Sequence, residues 1–373
     1  MSLTGWLFPA VMALAAVILF VTLVRGGPAR GGLLAILSRA VRLLVLNGLI
    51  VVLCAALLND KYFFYVSWAD LSGGPSSATT VARGGQPQIV KPLKPILRYA
   101  SETKTLPPLP NPGSREQSYV VTGADSKVSG QILVQLPAGY DPNSTRTYPV
   151  IEALHGWPGG PRAVAVELDL HGAFQRLIDA RKVADPIIVM PQINTPLTLD
   201  TECVDPPAGT GPKSLTWIGR DVPQWTADHF RVAHGRQSWL VLGASYGGWC
   251  AANVGMHYPE TFGGAVSFMG YLAPEFAPTY DPYVTDPLGE RTYDLDRLAK
   301  SSPPPIALWL MASREDLGAY RALVKLLKVA HPPTSVTAHI LATGGHRIQT
   351  IPPTLPAMAS WLTATLPGFV AHA

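Results

Sequence analysis

The 373-residue sequence predicts an α/β fold, a mostly parallel sheet with helices on both faces, preceded by two transmembrane helices. Three observations carry this expectation. Two long apolar runs near the N-terminus contain no acidic residue. A Pro-, Gly- and Ser-rich stretch follows them. From about residue 114 onward, short β-type runs alternate with helical stretches, the pattern of a parallel sheet.

The charge is unevenly placed. The chain has 29 Lys+Arg and 25 Asp+Glu, a formal net charge of +4. Residues 1–58 hold four arginines and no acid, so 25 basic and 25 acidic residues remain from 59 onward, net zero. This argues against a nucleic-acid binder, whose folded part needs a basic face. Charged residues make up 14% of the chain, against about 25% in an ordinary soluble domain. A hydrophobic share of 47% excludes disorder for most of the chain. Three cysteines are too few for a disulfide scaffold, and their spacing matches no zinc motif.

The first run, Trp6 to Val24, has 19 residues without a charge and spans about 28 Å as a helix, close to the hydrocarbon thickness of about 30 Å. A signal peptide is the competing reading, but no basic stretch precedes this run and its charges come after it. The second run, Val41 to Leu58, has Arg42 at its start, where a long side chain reaches the interface. Asn47 and Gly48 inside it suit a helix packed on a partner. Arg25, Arg30, Arg39 and Arg42 lie between the runs or at the edge of the second. Short Arg-rich loops face the cytoplasm, so a multi-pass cell-membrane protein is expected, with everything after residue 60 extracytoplasmic. Asn59 to Asp70 (NDKYFFYVSWAD) reads either as an interfacial aromatic belt or as the first buried piece of the folded domain. Ser72 to Gly113, with GGPSSATT, KPLKP and LPPLPNPGS, reads as an extended tether or as a segment along the domain surface. The expected organisation is 1–60 for the helices, 61–113 for the aromatic segment and linker, and 114–373 for the folded domain.

Within that domain, strands are expected at Gln131–Leu136, Val150–Leu154, Pro186–Met190, Trp239–Leu242, Ala265–Phe268, Ile306–Met311 and Val336–Leu341. Helices are expected at Gly172–Lys182, Pro223–His234, Gly247–His257 and Ala319–Ala330. The sharpest local signal is Gly243-Ala244-Ser245-Tyr246-Gly247, a G-x-S-x-G placed directly after the strand WLVL and before a helical run. A serine there occupies a tight strand-to-helix turn. Small residues on either side let backbone pass close, and the helix N-terminus favours developing negative charge. The bland alternative is a glycine turn with a capping serine.

A hydroxyl nucleophile needs a base, and the base needs an acid to orient it. Asp316 follows the strand IALWLM and His346 follows VTAHIL, in the order Ser, acid, His that this motif takes. Glu315 competes with Asp316. Asp294 and Asp296 precede the strand, and His339 lies inside one. For the oxyanion, one N–H is expected from Tyr246. The second is expected from the loop His155-Gly156-Trp157-Pro158-Gly159-Gly160, where Pro158 has no N–H and Trp157 is the natural donor. His155 reads as a support of that loop.

The segments YPVIEALHG, PIIVMPQ, LGASYGGWCAANVGMHYPETFGG, an acid after a strand, and GGH together resemble the esterase family that includes esterase D-like S-formylglutathione hydrolases, feruloyl esterases and mycolyltransferases. The resemblance covers about residues 115–365 and is strongest around Ser245. The N-terminus resembles a membrane-anchored actinobacterial branch. The resemblance implies an α/β-hydrolase fold, no metal or other cofactor, and ester chemistry on Ser245, Asp316 and His346. The segment SREDLGAY matches no one subgroup closely, so Asp316 over Glu315 is a preference.

Cys54 lies inside an expected span. In an extracytoplasmic domain, Cys203 and Cys250 are in a compartment that permits a disulfide, and such a bond would pin the loop 192–220 beside the active site. The alternative is a buried free Cys250. The expected function is a membrane-anchored serine esterase acting on a small-molecule, lipid or glycolipid ester. The rivals are an acyltransferase with a sugar or lipid hydroxyl as acceptor, and a catalytically silent surface binding module.

Overall fold

The computed structural model describes residues 5–25, 32–62, 65, 68–71, 77–85, 93–94, 96–99, 105–169 and 172–371. Arg30 and residues 72–76, 86–92, 95 and 100–104 of the tether lie outside the described residues. The chain forms two compact units. One comprises Met1–Ser77 with the loops Ser313–Asp316 and Ala342–Arg347, and the other holds the rest.

The first unit is built on α1 (Leu7–Arg25) and α2 (Leu33–Tyr62), which pack along each other. Both are long and apolar enough to cross a membrane, with mean hydropathy of 2.7 and 2.5. Most of their apolar side chains stand exposed, Leu14 at 61% and Leu44 at 70% among them. The second helix begins at Leu33, well before the expected Val41. Leu33–Leu44 (LLAILSRAVRLL) is rich in strong helix formers, and two arginines do not interrupt a helix. Arg39 and Arg42 therefore lie within the helix.

The second unit contains a nine-stranded sheet in the order β1-β9-β8-β7-β6-β4-β5-β3-β2. The strands are β1 (Ala78–Arg83), β2 (Glu116–Thr122), β3 (Ser129–Gln135), β4 (Val150–Leu154), β5 (Ile187–Pro191), β6 (Trp239–Ala244), β7 (Gly264–Phe268), β8 (Ala307–Ser313) and β9 (Ser335–Leu341). β5, β4, β6, β7 and β8 pair in parallel, while β1 with β9, β3 with β5, and β2 with β3 are antiparallel. Each of the five parallel strands is buried at every position. That is why they read as continuous apolar runs, without alternation. The antiparallel β2 alternates toward solvent instead.

The helix Tyr246–His257 is buried from Tyr246 through Met256, so it is apolar on all sides. Trp217, Trp239, Trp249 and Trp309 are fully buried. The first three donate their indole N–H to the carbonyls of Gln192, Ala233 and Glu202, so large rings fill the core without an orphaned donor.

Several expected boundaries move. Within the stretch whose composition marks it as a spacer, Ala78–Arg83 forms an edge strand on β9, using the β-formers Thr79, Thr80 and Val81. Farther along, Arg98 exchanges two backbone hydrogen bonds with the Gln224 amide and Tyr99 stacks on His234, so this part runs along the folded unit. The helix expected over Pro223–His234 spans Val222–His229 and is preceded by a wide turn, Trp217–Asp221. The helices Leu295–Ser301 and Leu355–Thr365 and strand β2 are additions to the expected elements.

Cys203 and Cys250 form a disulfide with a Cα–Cα distance of 5.5 Å, closing a 47-residue separation. It ties the loop after β5 to the Tyr246–His257 helix. Three hydrogen bonds repeat the attachment: Trp249 Nε1 to Glu202 O, Asn253 Nδ2 to Cys203 O, and Tyr246 Oη to Asn194 Oδ1. In the middle of β4, flanked by Val189 and Val241, the Glu152 carboxyl is fully buried. Neither of its oxygens has a hydrogen-bond partner among the described residues. Burial pushes its pKa well above the carboxylate range, so it is neutral in the folded state.

Two stability predictions follow from these groups. Before reduction, the unfolded chain should show one reactive thiol, Cys54, and three after it, and Cys250→Ser should cost about 2–4 kcal/mol of stability. Three thiols without reductant would remove the bond. For Glu152, the unfolded chain ionises near the ordinary carboxyl pKa of about 4.3 while the folded chain holds its proton, so stability falls by about 1.4 kcal/mol per pH unit above that point. Glu152→Met removes the buried carboxyl at similar volume. Its melting temperature should exceed that of the wild type by a margin that widens from pH 5 to pH 8, and parallel pH curves would exclude a neutral buried Glu152.

Candidate active site

Ser245 follows the last residue of β6 and precedes the first of the Tyr246–His257 helix. Its backbone sits at φ 56° and ψ −122°, a conformation that L-residues avoid at a cost of about 1–3 kcal/mol. Close backbone approach holds it there. A Cβ on Gly243 would strike the carbonyls of Gly247 and Leu154, and one on Gly247 those of Leu154 and His155. Ser245 N–H donates to Phe268 O at 2.8 Å, and Trp249 N–H donates to Ser245 O at 3.0 Å. The turn is thus fixed from β7 on one side and from its own helix on the other. Tyr246 is the first helical residue, where the N–H has no acceptor within the helix. This places two useful features side by side, a hydroxyl on a strained turn and a helix N-terminus.

The loop after β4 lies close by. Both a Glu167 carboxylate oxygen and Ser245 Cβ are within 4 Å of where a Gly156 Cβ would stand. Gly156 N–H donates to the Glu167 carboxyl at 3.2 and 3.3 Å. Its N–H is therefore occupied, and the next residue, Trp157, is left as the donor candidate in this loop. The Trp157 ring lies 6.3 Å from the Tyr246 ring. Burial pushes the Glu167 pKa up to about 7, with the Gly156 hydrogen bond opposing. His155 is fully buried, its pKa lowered chiefly by burial. As neutral imidazole it donates from Nδ1 to Gly156 O at 2.8 Å and accepts Ile193 N–H at Nε2. Both of its nitrogens serve the loop.

In the other unit, His346 Nδ1 and Asp316 Oδ2 are 2.6 Å apart, joining the loops after β8 and β9. Glu315 is turned elsewhere: its Oε2 accepts Gly344 N–H at 2.9 Å, bracing the glycine pair before His346. Arg347 Nε–H donates to Gly344 O at 3.0 Å. The outlying candidates are occupied in other ways. Asp294 caps the Leu295–Ser301 helix, and Asp296 pairs with Lys325 at 2.6 Å. His339 stacks on Trp309 and bonds Thr80 Oγ1.

The sequence reading contained no role for Glu167 or for the network behind Tyr246. Tyr271 Oη donates to both Glu202 carboxylate oxygens, at 2.8 and 3.0 Å. Burial, then Asp200 beside it, pushes the Glu202 pKa up to about 8. The one available signal for Glu167 was an acid inside the apolar run AVAVELDL. No group of three or more metal-ligating side chains occurs among the described residues.

Comparison with known proteins gives the family and the fold. The profile of the family "Esterase" (described as "Putative esterase") matches residues 126–359, more than half of the chain. An uncharacterised protein of Corynebacterium glutamicum is 24% identical over 246 residues, which cover 65% of this chain and 55% of that protein. The chain thus spans about half the length of the curated relative it matches. Among solved structures, a ferulic acid esterase superposes with a TM-score of 0.54 at 17% identity, covering 67% of this chain and 98% of its own. An S-formylglutathione hydrolase from Agrobacterium tumefaciens does so with a TM-score of 0.52 at 16% identity, covering 69% and 98%. At such identities these likenesses show the fold, an α/β-hydrolase sheet, and the profile match shows the family. The chain belongs to the esterase family, and its sheet has the α/β-hydrolase fold.

Proposed function

We propose that the chain is a membrane-anchored serine esterase, with Ser245 as nucleophile, His346 as general base and Asp316 as its orienting acid. The observation that carries this reading is the 2.6 Å contact between Asp316 Oδ2 and His346 Nδ1. A carboxylate at Nδ1 keeps the ring hydrogen there and leaves the lone pair on Nε2, the tautomer a base needs. As Ser245 Oγ attacks the ester carbonyl, its proton passes to Nε2, and the Trp157 and Tyr246 N–H groups donate to the oxyanion. The imidazolium returns that proton to the departing alcohol. Water then attacks the acyl-enzyme and gives a proton to His346, which passes it to Ser245 Oγ as the acyl bond breaks, releasing a carboxylic acid and restoring both residues.

In this reading residues 1–60 are the anchor, 61–113 the connection and 114–373 the catalytic domain. Two observations support an extracytoplasmic domain. Arg25, Arg30, Arg39 and Arg42 lie around the join between α1 and α2, and by the positive-inside rule that end of the helix pair faces the cytoplasm. The Cys203–Cys250 bond belongs in an oxidising compartment. The exposed apolar flanks of α1 and α2 favour membrane spans over core helices.

The detergent-solubilised full chain should hydrolyse p-nitrophenyl butyrate and take a fluorophosphonate label on the peptide carrying Ser245. Ser245→Ala should lose the label and the activity. Asp316→Asn should lower kcat by about 10⁴-fold, because the wrong tautomer results, while Glu315→Gln keeps activity within about tenfold. A wild type inert to both reagents would end the enzyme reading. A pH profile tests the oxyanion loop. Glu167 becomes an anion beside the developing oxyanion as pH rises through about 7, so wild-type kcat/KM should decline relative to Glu167→Gln above that pH. Superimposable profiles would remove Glu167 from the oxyanion environment.

A further inference from the structure

The first unit contains a cavity of about 440 Å³ at one end of the helix pair. Phe8 of α1, Ala55 and Leu58 of α2, and Trp68 and Leu71 from the segment after α2 line it. Its walls are held by specific contacts. Asn59 Nδ2 donates to Tyr65 O and Tyr65 N–H donates to Asn59 Oδ1, both at 2.7 Å, a reciprocal clasp between α2 and Tyr65. Phe8 meets Trp68 edge-to-face at 5.7 Å between centroids. The Asn59 amide, the one polar side chain of the lining besides the Tyr65 phenol, is engaged with backbone. The remaining lining is hydrocarbon and aromatic, whereas a site for a polar ligand carries several directed polar groups.

We propose that this cavity holds the hydrocarbon chain of a membrane lipid, and that the ester the enzyme acts on is carried by that lipid. The proposal rests on the serine-esterase reading and specifies its substrate class. Three observations lead to this occupant. The cavity opens among helices whose apolar side chains are exposed along their length, so lipid is its immediate neighbour. Its volume admits roughly 15 water-sized groups at ~30 Å³ each, the scale of a long acyl chain and far beyond an acetyl or formyl group. It is also coupled to the histidine loop within the same unit: the Arg347 guanidinium lies 4.7 Å over the Tyr65 ring, and Arg347 is the residue after His346. Elsewhere, the segments that follow β4, β5, β8 and β9 expose Trp157, Leu197, Leu317 and Ile348, an apolar bias at the catalytic end of the sheet.

The test uses the full chain in phospholipid nanodiscs, with p-nitrophenyl butyrate and p-nitrophenyl palmitate as paired substrates. Ala55→Trp places an indole in the cavity from an exposed helix position. It should lower kcat/KM for palmitate by about tenfold or more while butyrate changes less than about twofold. Independently, a diazirine-bearing palmitate should crosslink to residues 52–71 in wild type, and Ala55→Trp should abolish that crosslink. Equal losses on both esters, or no change on either, overturn the proposal, as does crosslinking spread evenly along α1 and α2. If wild type cleaves neither ester, the esterase reading fails. The lipid site then stands or falls on whether the crosslink maps to 52–71.

Discussion

The close passage of the Tyr246–His257 helix beneath the end of β4 is the constraint on which the rest of the site depends. Gly243 and Gly247 allow it, since each would otherwise drive a Cβ into a backbone carbonyl. Only with the helix this near does the chain make its turn inside one residue, and that residue, Ser245, bears the whole distortion at φ 56°. A strain of about 1–3 kcal/mol persists because neighbours over-determine it. Phe268 O fixes Ser245 N–H, and a wholly buried helix follows that has nowhere else to go. The same nearness brings the loop after β4 alongside. Its Gly156 N–H is held by Glu167 and its histidine is locked between Gly156 O and Ile193 N–H.

The loop after β5 is a second frame around that helix. A disulfide, an indole, an amide and a phenol all bind the same stretch, 194–203, to residues 246–253. Glu202 and Cys203 both sit at φ 49°, so this loop too is held where an unsupported chain would relax. Redundancy of this kind suits a loop with buried carboxyl and phenol groups, because each polar atom is costly unless its partner stays put. Glu202 with Tyr271, and Tyr246 with Asn194, have such partners. Glu152 does not, and the sheet accommodates it only as a neutral acid.

The parallel core was legible because strands buried on both faces must be apolar throughout. Val150–Leu154 needed no adjustment, and β6, β7, β8 and β9 shifted by a residue or two. The G-x-S-x-G was legible for the same reason that it works, since close approach demands glycine. What stayed hidden depends on partners distant in sequence. β1 is a six-residue exposed strand whose pairing partner is β9, more than 250 residues away, so its composition reads as spacer. Helix α2 was cut short at Val41 because counting uncharged residues stops at an arginine, while a helix does not. The division of labour between neighbours Glu315 and Asp316 is set by a backbone N–H at Gly344 and a ring nitrogen at His346. No local pattern encodes that choice.

The placement of charge bears on how such a site meets its substrate. From residue 59 onward the formal charges cancel, so the catalytic part has no net field to draw a charged ester from bulk solution. The four unbalanced cations all lie within residues 1–58, where in the proposed reading their effect is on orientation. An enzyme built this way gains little from long-range steering and much from being held beside its substrate. A membrane confines both to two dimensions and raises the local concentration of anything dissolved in it, the same advantage a short linker gives a tethered ligand. The compact unit that contains the anchor also contains the Asp316–His346 pair, with Arg347 over Tyr65 between the histidine loop and the aromatic segment. The two apolar helices and the Asp316–His346 contact therefore share a structural unit in this chain. In the proposed reading, a substitution at Tyr65 reaches the histidine loop through Arg347.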